Sequence, residues 1–247
     1  VCTVILLRRP GHAWPLLLAA NRDERLDREW EPPAAHWPDH PDVVGGRDRT
    51  AGGTWMAVGR SGVVAAILNR PGSLGPAAGK RSRGVLPLMA AGQPSARDAA
   101  GQIAGLDAGK WRPFNLVVAD REEAFFLRAL GAGQPECRAL PSGISMVTAH
   151  DPNDRGSPRI RRHLPRFQAA PPPEPKHGDW AAWEALLADD SIGPAGVADA
   201  LHVPPLNGFG TVCSSLLAFG AGGPACWRFR PGSSGLARFR DVPLPGG

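Results

Sequence analysis

The chemistry of this chain starts at its second residue, a cysteine. Once residue 1 is removed, the Cys2 thiol sits beside a free α-amine. Position 1 is written Val, which we read as a GTG start codon translated literally. The initiator is then Met, and Met before a residue as small as Cys is normally cleaved. An α-amine titrates at about 7.7–8.0, far below the value of about 10.4 for Lys, so it accepts a proton at neutral pH without special burial. Nucleophile and base then belong to one residue, which suits acyl transfer through a covalent intermediate. The run Asn21-Arg22-Asp23-Glu24 supplies the neighbours such a thiol needs. Arg22 beside the sulfur favours thiolate, and Asp23 can hold the amine.

Other candidate motifs fail on their spacing. Gly72-Ser73-Leu74-Gly75-Pro76-Ala77-Ala78-Gly79-Lys80-Arg81 imitates a phosphate loop. It has Leu74 where the first Gly belongs and Arg81 where a magnesium-binding Ser or Thr belongs. His36 and His40 have the spacing of a zinc-binding helix, but Pro38 breaks that helix. Asp189-Asp190 reads as a helix end. Arg159, Arg162 and Arg166 recur at three and four residues, a basic stripe if that segment is helical. We read it as a solvated face or as a surface for an anionic small molecule.

The elements that must position these residues come next. Residues 3–9 and 14–21 are apolar runs about the turn Pro10-Gly11, and 54–59 and 63–69 flank Ser61-Gly62, so both pairs read as hairpins. The first hairpin carries Asn21-Arg22-Asp23-Glu24 to the strand end beside Cys2. Residues 31–48 hold Pro32, Pro33, Pro38 and Pro41 and read as an irregular loop. Helices are expected over 85–91 and over 97–105, the latter capped by Ser95 with Asp98 three residues on. Strands follow at 114–119, 124–130 and 145–148, helices at 157–168 and 180–187, and strands at 211–219, 226–230 and 236–241. Batches of strands alternate with pairs of helices, which two packed antiparallel sheets with helices outside satisfy. The class is α+β, in one domain over residues 1–247.

Composition bounds the rest. A chain of 247 residues, 43% hydrophobic and 21% charged, is neither a membrane protein nor a disordered one. Its 31 glycines and 27 prolines imply short elements and many turns. No apolar run reaches the length of a spanning helix or a signal segment, so a cytoplasmic protein is expected. Four scattered cysteines make no disulfide framework and no metal-ligand cluster. The net charge of +5 raises nucleic acid as a partner, but no nucleic-acid motif accompanies it.

Taken together, Cys2-Thr3, Leu18-Ala19-Ala20-Asn21-Arg22-Asp23-Glu24, Gly52-Gly53-Thr54-Trp55, Asn69, Arg83-Gly84, Phe114-Asn115-Leu116 and Phe209-Gly210-Thr211 resemble the NRDE family, also called the transport and Golgi organisation protein 2 family. The resemblance covers nearly the whole chain. It implies a relation to N-terminal-nucleophile hydrolases and hence a four-layer αββα sandwich. It implies Cys2 as nucleophile, Arg22 and Asp23 as its neighbours and Asn69 as an oxyanion-hole donor. Asn21, Glu24, Thr54, Trp55, His150 and Cys213 are the expected substrate contacts. The stretch Val147-Thr148-Ala149-His150 lacks a further Asn of the hydrolase pattern, and Val212 stands where a late Arg belongs. The expected activity is hydrolysis or acyl transfer on a small amide or thioester, with no cofactor required. The alternative is a non-catalytic carrier of haem or of acyl-CoA and lipid, with Cys2, Cys213 and His150 as conceivable iron ligands.

Overall fold

In the computed structural model, which describes residues 2–222, 225–232 and 237–245, the chain divides into two compact units. One comprises residues 1–27 and 142–242, the other residues 28–141 and 243–247. Residue 1, whose removal the proposed chemistry requires, lies outside the described residues. So does Leu236, where the last expected strand begins.

The first unit opens with the hairpin of β1 (Thr3–Arg8) and β2 (Leu16–Arg25). The second unit follows with β3 (Trp30–Ala34), β4 (Val43–Asp48), β5 (Met56–Gly59) and β6 (Val64–Asn69). Helices α1 (Val85–Ala91) and α2 (Ala96–Ala104) come next, then β7 (Phe114–Ala119), β8 (Ala124–Ala129) and β9 (Glu136–Ala139). The chain returns to the first unit with β10 (Gly143–Val147), α3 (Pro158–Ala169) and α4 (Ala181–Leu187). It closes with β11 (Phe209–Phe219), β12 (Ala225–Pro231) and β13 (Arg240–Asp241).

The first unit is an antiparallel sheet in the order β10-β1-β2-β11-β12-β13. Leu16, Leu17, Leu18 and Ala19 are buried in succession, so β2 is covered on both faces rather than alternating with solvent. Ile5, Leu17, Ala19 and Leu216 point to the side of α3 and α4, where they pack with Ile160, Phe167 and Trp183. Phe167 and Trp183 meet edge to face, with centroids 5.4 Å apart. Such a pair contributes about 0.5–1.5 kcal/mol beyond its buried area. Helix α3 begins where Ser157 accepts a hydrogen bond from the Ile160 N–H and Pro158 fills the first turn.

The second unit is a seven-stranded antiparallel meander in sequence order, β3 to β9. Its core joins β6, β7 and β8 to α1 and α2 through Ala65, Leu116, Leu127, Leu86 and Ile103. Ser95 caps α2 by accepting from the Asp98 N–H, as its spacing predicts. Segment 31–48 departs from expectation: β3 and β4 lie inside the expected irregular loop. Pro32 and Pro33 are tolerated because β3 is an edge strand whose register shifts between Glu31 and Ala34. Strand β9 escapes sequence reading because it is only four residues long, all exposed, with no large apolar side chain.

Gly59 marks the closest approach of sheet and helix in this unit. A Cβ there would lie 1.8 Å from the Ala91 carbonyl oxygen at the end of α1. Gly59→Ala is therefore expected to destabilise the protein by at least the roughly 1–3 kcal/mol of ordinary overpacking. Urea unfolding checks this, and an unchanged midpoint would refute the close contact.

Candidate active site

The β1–β2 hairpin sets the site. Thr3 pairs with Asn21, which brings Cys2, just before β1, alongside the Arg22–Asp23 peptide. The Cys2 thiol donates to the Asp23 carbonyl oxygen at 3.7 Å. Arg22 is buried, and its Nη2 lies 3.6 Å from Glu24 Oε2. Cys213 on β11 pairs directly opposite Arg22, so the two share a sheet face.

A bulge in β11 makes this arrangement possible. Ser214 pairs with Asn21 and Thr211 with Asp23, so three steps in β11 match two in β2, with Val212 as the extra residue. Thr211 and Ser214 thereby both reach the helix side of the sheet, and Cys213 is left on the other. Thr211 Oγ1 donates to Asp23 Oδ1 at 2.7 Å and accepts from the Val203 N–H at 2.8 Å.

The side chain of Asp23 is fully buried. Arg159, the second residue of α3, donates from Nη1 to Asp23 Oδ2 at 2.7 Å and to Thr3 Oγ1 at 3.0 Å. Strand β1, strand β2, helix α3 and strand β11 are thus tied together at the carboxylate two residues from Arg25. Reading by spacing missed Arg159, Thr3 and Thr211 as members of this cluster. Thr3 and Thr211 did lie in quoted motifs, and Arg159 lies two residues after the cap Ser157.

Arg22 favours the Cys2 thiolate, as expected, but larger effects outweigh it. Burial pushes the Cys2 thiol above its ordinary value, and Asp23 adds to the rise, while Arg22 opposes it with a smaller effect. Cys213 is pushed up to about 12, again chiefly by burial. Both sulfurs are therefore neutral thiols at pH 7, and Arg22 does not produce a thiolate.

The remaining expected residues are placed as follows. Asn21 does not join the cluster. Its Nδ2 donates to the Leu187 and Leu201 carbonyls at 2.9 and 3.0 Å, and its Oδ1 accepts from Ser214 Oγ at 2.7 Å. That side chain ties β2 to the helix layer. Glu24 is partly exposed and accepts from the Arg25 N–H. His150 lies three residues past Val147, the partner of Val4 on β1, with Nδ1 3.4 Å from Asp154 Oδ2.

Thr54, Trp55 and Asn69 belong to the second unit. Thr54 Oγ1 both donates to the Met56 carbonyl and accepts from the Met56 N–H, so it shapes the start of β5. Trp55 stands edge-on to Trp30 and covers Gly46, where a Cβ would meet its ring at 2.1 Å. Asn69 ends β6 opposite Phe114. Nearby, Arg70 donates to Asn115 Oδ1 at 2.6 Å, and Arg83 donates to Ser73 Oγ and the Pro113 carbonyl at 3.0 Å each.

The basic stripe of α3 is spent on carboxylates. Arg159 takes Asp23, Arg162 takes Asp199 at 3.1 Å, and Arg166 takes Asp189. Arg159 is buried, while Arg162 and Arg166 stay partly exposed with their carboxylates. Between these pairs, His163 is fully buried. Its Nε2–H donates to the Asp199 carbonyl at 2.8 Å, which leaves Nδ1 to accept from Arg166 at 3.1 Å. Burial, reinforced by Arg166 and Arg162, holds its pKa down to about 4, against 6.5 ordinarily. The unfolded chain then binds more protons between those values. Stability is full above about 6.5, falls as pH drops towards about 4, and levels off below. Urea midpoints across that range are expected to show this slope, and His163→Gln to flatten it.

Among the described residues, no group of three or more His, Cys, Asp or Glu could hold a metal ion. No described helix is long and apolar enough to cross a membrane.

Comparison with known proteins bears on this geometry. The family model for Transport and Golgi organisation 2 matches residues 1–171. No curated protein matches the sequence. Among solved structures, the chain is similar to a Caenorhabditis elegans N-acylethanolamine-hydrolyzing acid amidase ortholog, with TM-score 0.55 and 12% identity over 87% of this chain and 92% of that one. It is also similar to the C2A mutant of conjugated bile acid hydrolase from Clostridium perfringens, with TM-score 0.55 and 12% identity over 98% of this chain and 92% of that one. At this identity the likeness carries the fold, that of N-terminal-nucleophile hydrolases, and not the chemistry.

Proposed function

Because this chain belongs to the Transport and Golgi organisation 2 family and has an N-terminal-nucleophile-hydrolase fold, we propose that it hydrolyses or transfers the acyl group of a small non-peptide amide or thioester, with Cys2 as nucleophile. One observation supports the reading: the Cys2 thiol reaches the Asp23 main-chain carbonyl, and the carboxylate of the same residue is fixed by Arg159 and Thr211.

The steps follow from the groups present. With residue 1 removed, the α-amine of Cys2 takes the thiol proton as Sγ attacks the substrate carbonyl carbon. The carbonyl π electrons move to oxygen, giving a tetrahedral oxyanion. When the oxyanion collapses, the bond to the leaving nitrogen or sulfur breaks, and the ammonium returns its proton to that atom. A thioester on Cys2 remains. Water attacks it with the amine again as base, releasing the acid and restoring the thiol. Arg22 lies close enough to favour the charge that develops during attack, without ionising the resting thiol. The oxyanion role of Asn69 rests on the family resemblance.

The test is turnover of thioester and N-acyl substrates by the mature chain and by Cys2→Ala, alongside intact mass. Loss of residue 1 and loss of turnover in the variant are expected. Retention of residue 1, or turnover unchanged by Cys2→Ala, would overturn the mechanism.

A further inference from the structure

Three loops gather at one end of the seven-stranded sheet: residues 70–84 after β6, 105–113 before β7 and 130–135 after β8. The pairings Asn69 to Phe114 and Phe114 to Ala129 place them side by side. They are bonded to one another, Arg81 N–H to the Lys110 carbonyl at 2.8 Å and Ala108 N–H to the Gly133 carbonyl at 2.7 Å. Arg112 draws in the first loop by donating to the carbonyls of Gly72 and Leu74 at 2.7 Å each.

Of the six cations on these loops, Arg70 and Arg83 bond Asn115, Ser73 and Pro113, and the other four are Lys80, Arg81, Lys110 and Arg112. Their contacts are with neutral groups. Lys80 donates to the Gly109 carbonyl, Arg81 lies 5.2 Å over the Trp111 ring, and Arg112 holds carbonyls. The sole carboxylate in the three loops, Asp107, accepts from the Gly109 N–H instead. Elsewhere arginines pair with acids, as Arg97 does with Glu123, Arg128 with Glu136 and Arg162 with Asp199. Beside this charge, Leu74 is 63% and Leu130 56% exposed, two of only five large apolar side chains so exposed among the described residues. Leu74 rides between Gly72 and Gly75, both at positive φ, at the tip of the first loop.

We propose that this loop cluster is a docking surface for an anionic lipid bilayer, with the four cations at the headgroups and Leu74 and Leu130 entering the acyl boundary. A soluble phosphate would be met by the cations alone and would have no use for the leucines. A single-stranded nucleic acid calls for exposed aromatic rings, and here Trp111 is buried beneath Arg81. Charge plus apolar tips is the combination a bilayer surface selects. The surface is independent of the acyl-transfer reading.

The experiment is co-sedimentation of the full chain with phosphatidylcholine vesicles, with and without phosphatidylserine. Binding is expected only with phosphatidylserine, and it weakens as salt shortens the screening length. Lys110→Glu changes two charge units and is expected to weaken binding by roughly 25-fold, at about fivefold per charge. Leu74→Ser is expected to weaken it by roughly tenfold. Both side chains are exposed, so far-UV circular dichroism is expected to show both variants folded. Equal binding to neutral vesicles, or binding unchanged by Lys110→Glu, would overturn the proposal. Leu74→Ser without effect, together with full competition by inorganic polyphosphate or RNA, would instead assign the surface to a soluble polyanion.

Discussion

Cys2→Ala is expected to bring turnover of a thioester or N-acyl substrate down to the rate without protein. The unfolding free energy should meanwhile change by less than about 1 kcal/mol, because the change removes one partly buried sulfur with a weak hydrogen bond. The pH dependence separates two ways of activating the thiol. A thiolate formed in advance would react with iodoacetamide readily at pH 7. Here burial and Asp23 raise the Cys2 pKa above its ordinary 9.0, so alkylation of Cys2 is expected to be slow at neutral pH. It should climb about tenfold per pH unit until the thiol ionises. Turnover is expected to rise earlier, through the α-amine range of about 7.7–8.0, because the amine and not bulk hydroxide takes the proton. Peptide mass spectrometry resolves Cys2 from the exposed Cys137. Fast labelling of Cys2 at pH 7 would contradict the neutral-thiol account. Coincident pH profiles for labelling and turnover would remove the amine from the mechanism.

Arg159→Met is expected to destabilise the protein by about 3–5 kcal/mol, the usual loss when one member of a buried ion pair is removed. The Asp23 carboxylate would keep Thr211 but lose its cation, in a site with no solvent access to its side chain. A buried charge so stranded costs far more than the pair itself contributes. Asp23→Asn combined with Arg159→Met should therefore recover most of the loss, since neither charge then remains. Urea unfolding of the wild type, both single variants and the double variant gives the coupling directly. A single-variant effect below about 0.5 kcal/mol, or additive losses in the double variant, would refute the buried pair. The cluster also fixes the peptide that holds the Cys2 thiol, so folded Arg159→Met should lose kcat more than it raises KM. A purely structural ion pair would leave that ratio unchanged.

Much of the fold was legible because its signals are local. The turns at Pro10-Gly11 and Ser61-Gly62 and the apolar runs beside them gave both hairpins, and Ser95 and Ser157 marked the starts of α2 and α3. Segment 31–48 failed because proline content argues against a central strand, and nothing local says that β3 is an edge. Strand β9 failed because pairing with β8 is a backbone matter, and its four exposed residues include no large apolar side chain. The basic stripe was visible as spacing, yet its ion pairs were not, since the carboxylates that meet it are brought in by other segments.

The sequence alone settled the residue types on which the chemistry draws, a cysteine at position 2 and an Asn-Arg-Asp-Glu run one hairpin later, because a hairpin's register follows from its turn. Tertiary structure alone decided what surrounds them. Asp23 meets Arg159 across 136 positions and Thr211 across 188, and the extra residue Val212 turns Thr211 towards Asp23 while leaving Cys213 beside Arg22. Contacts at such separations are selected by the burial of whole sheets and helices, which no local spacing encodes. The same burial decides that the thiol stays protonated, because desolvation acts through the environment and not through the neighbours in the chain.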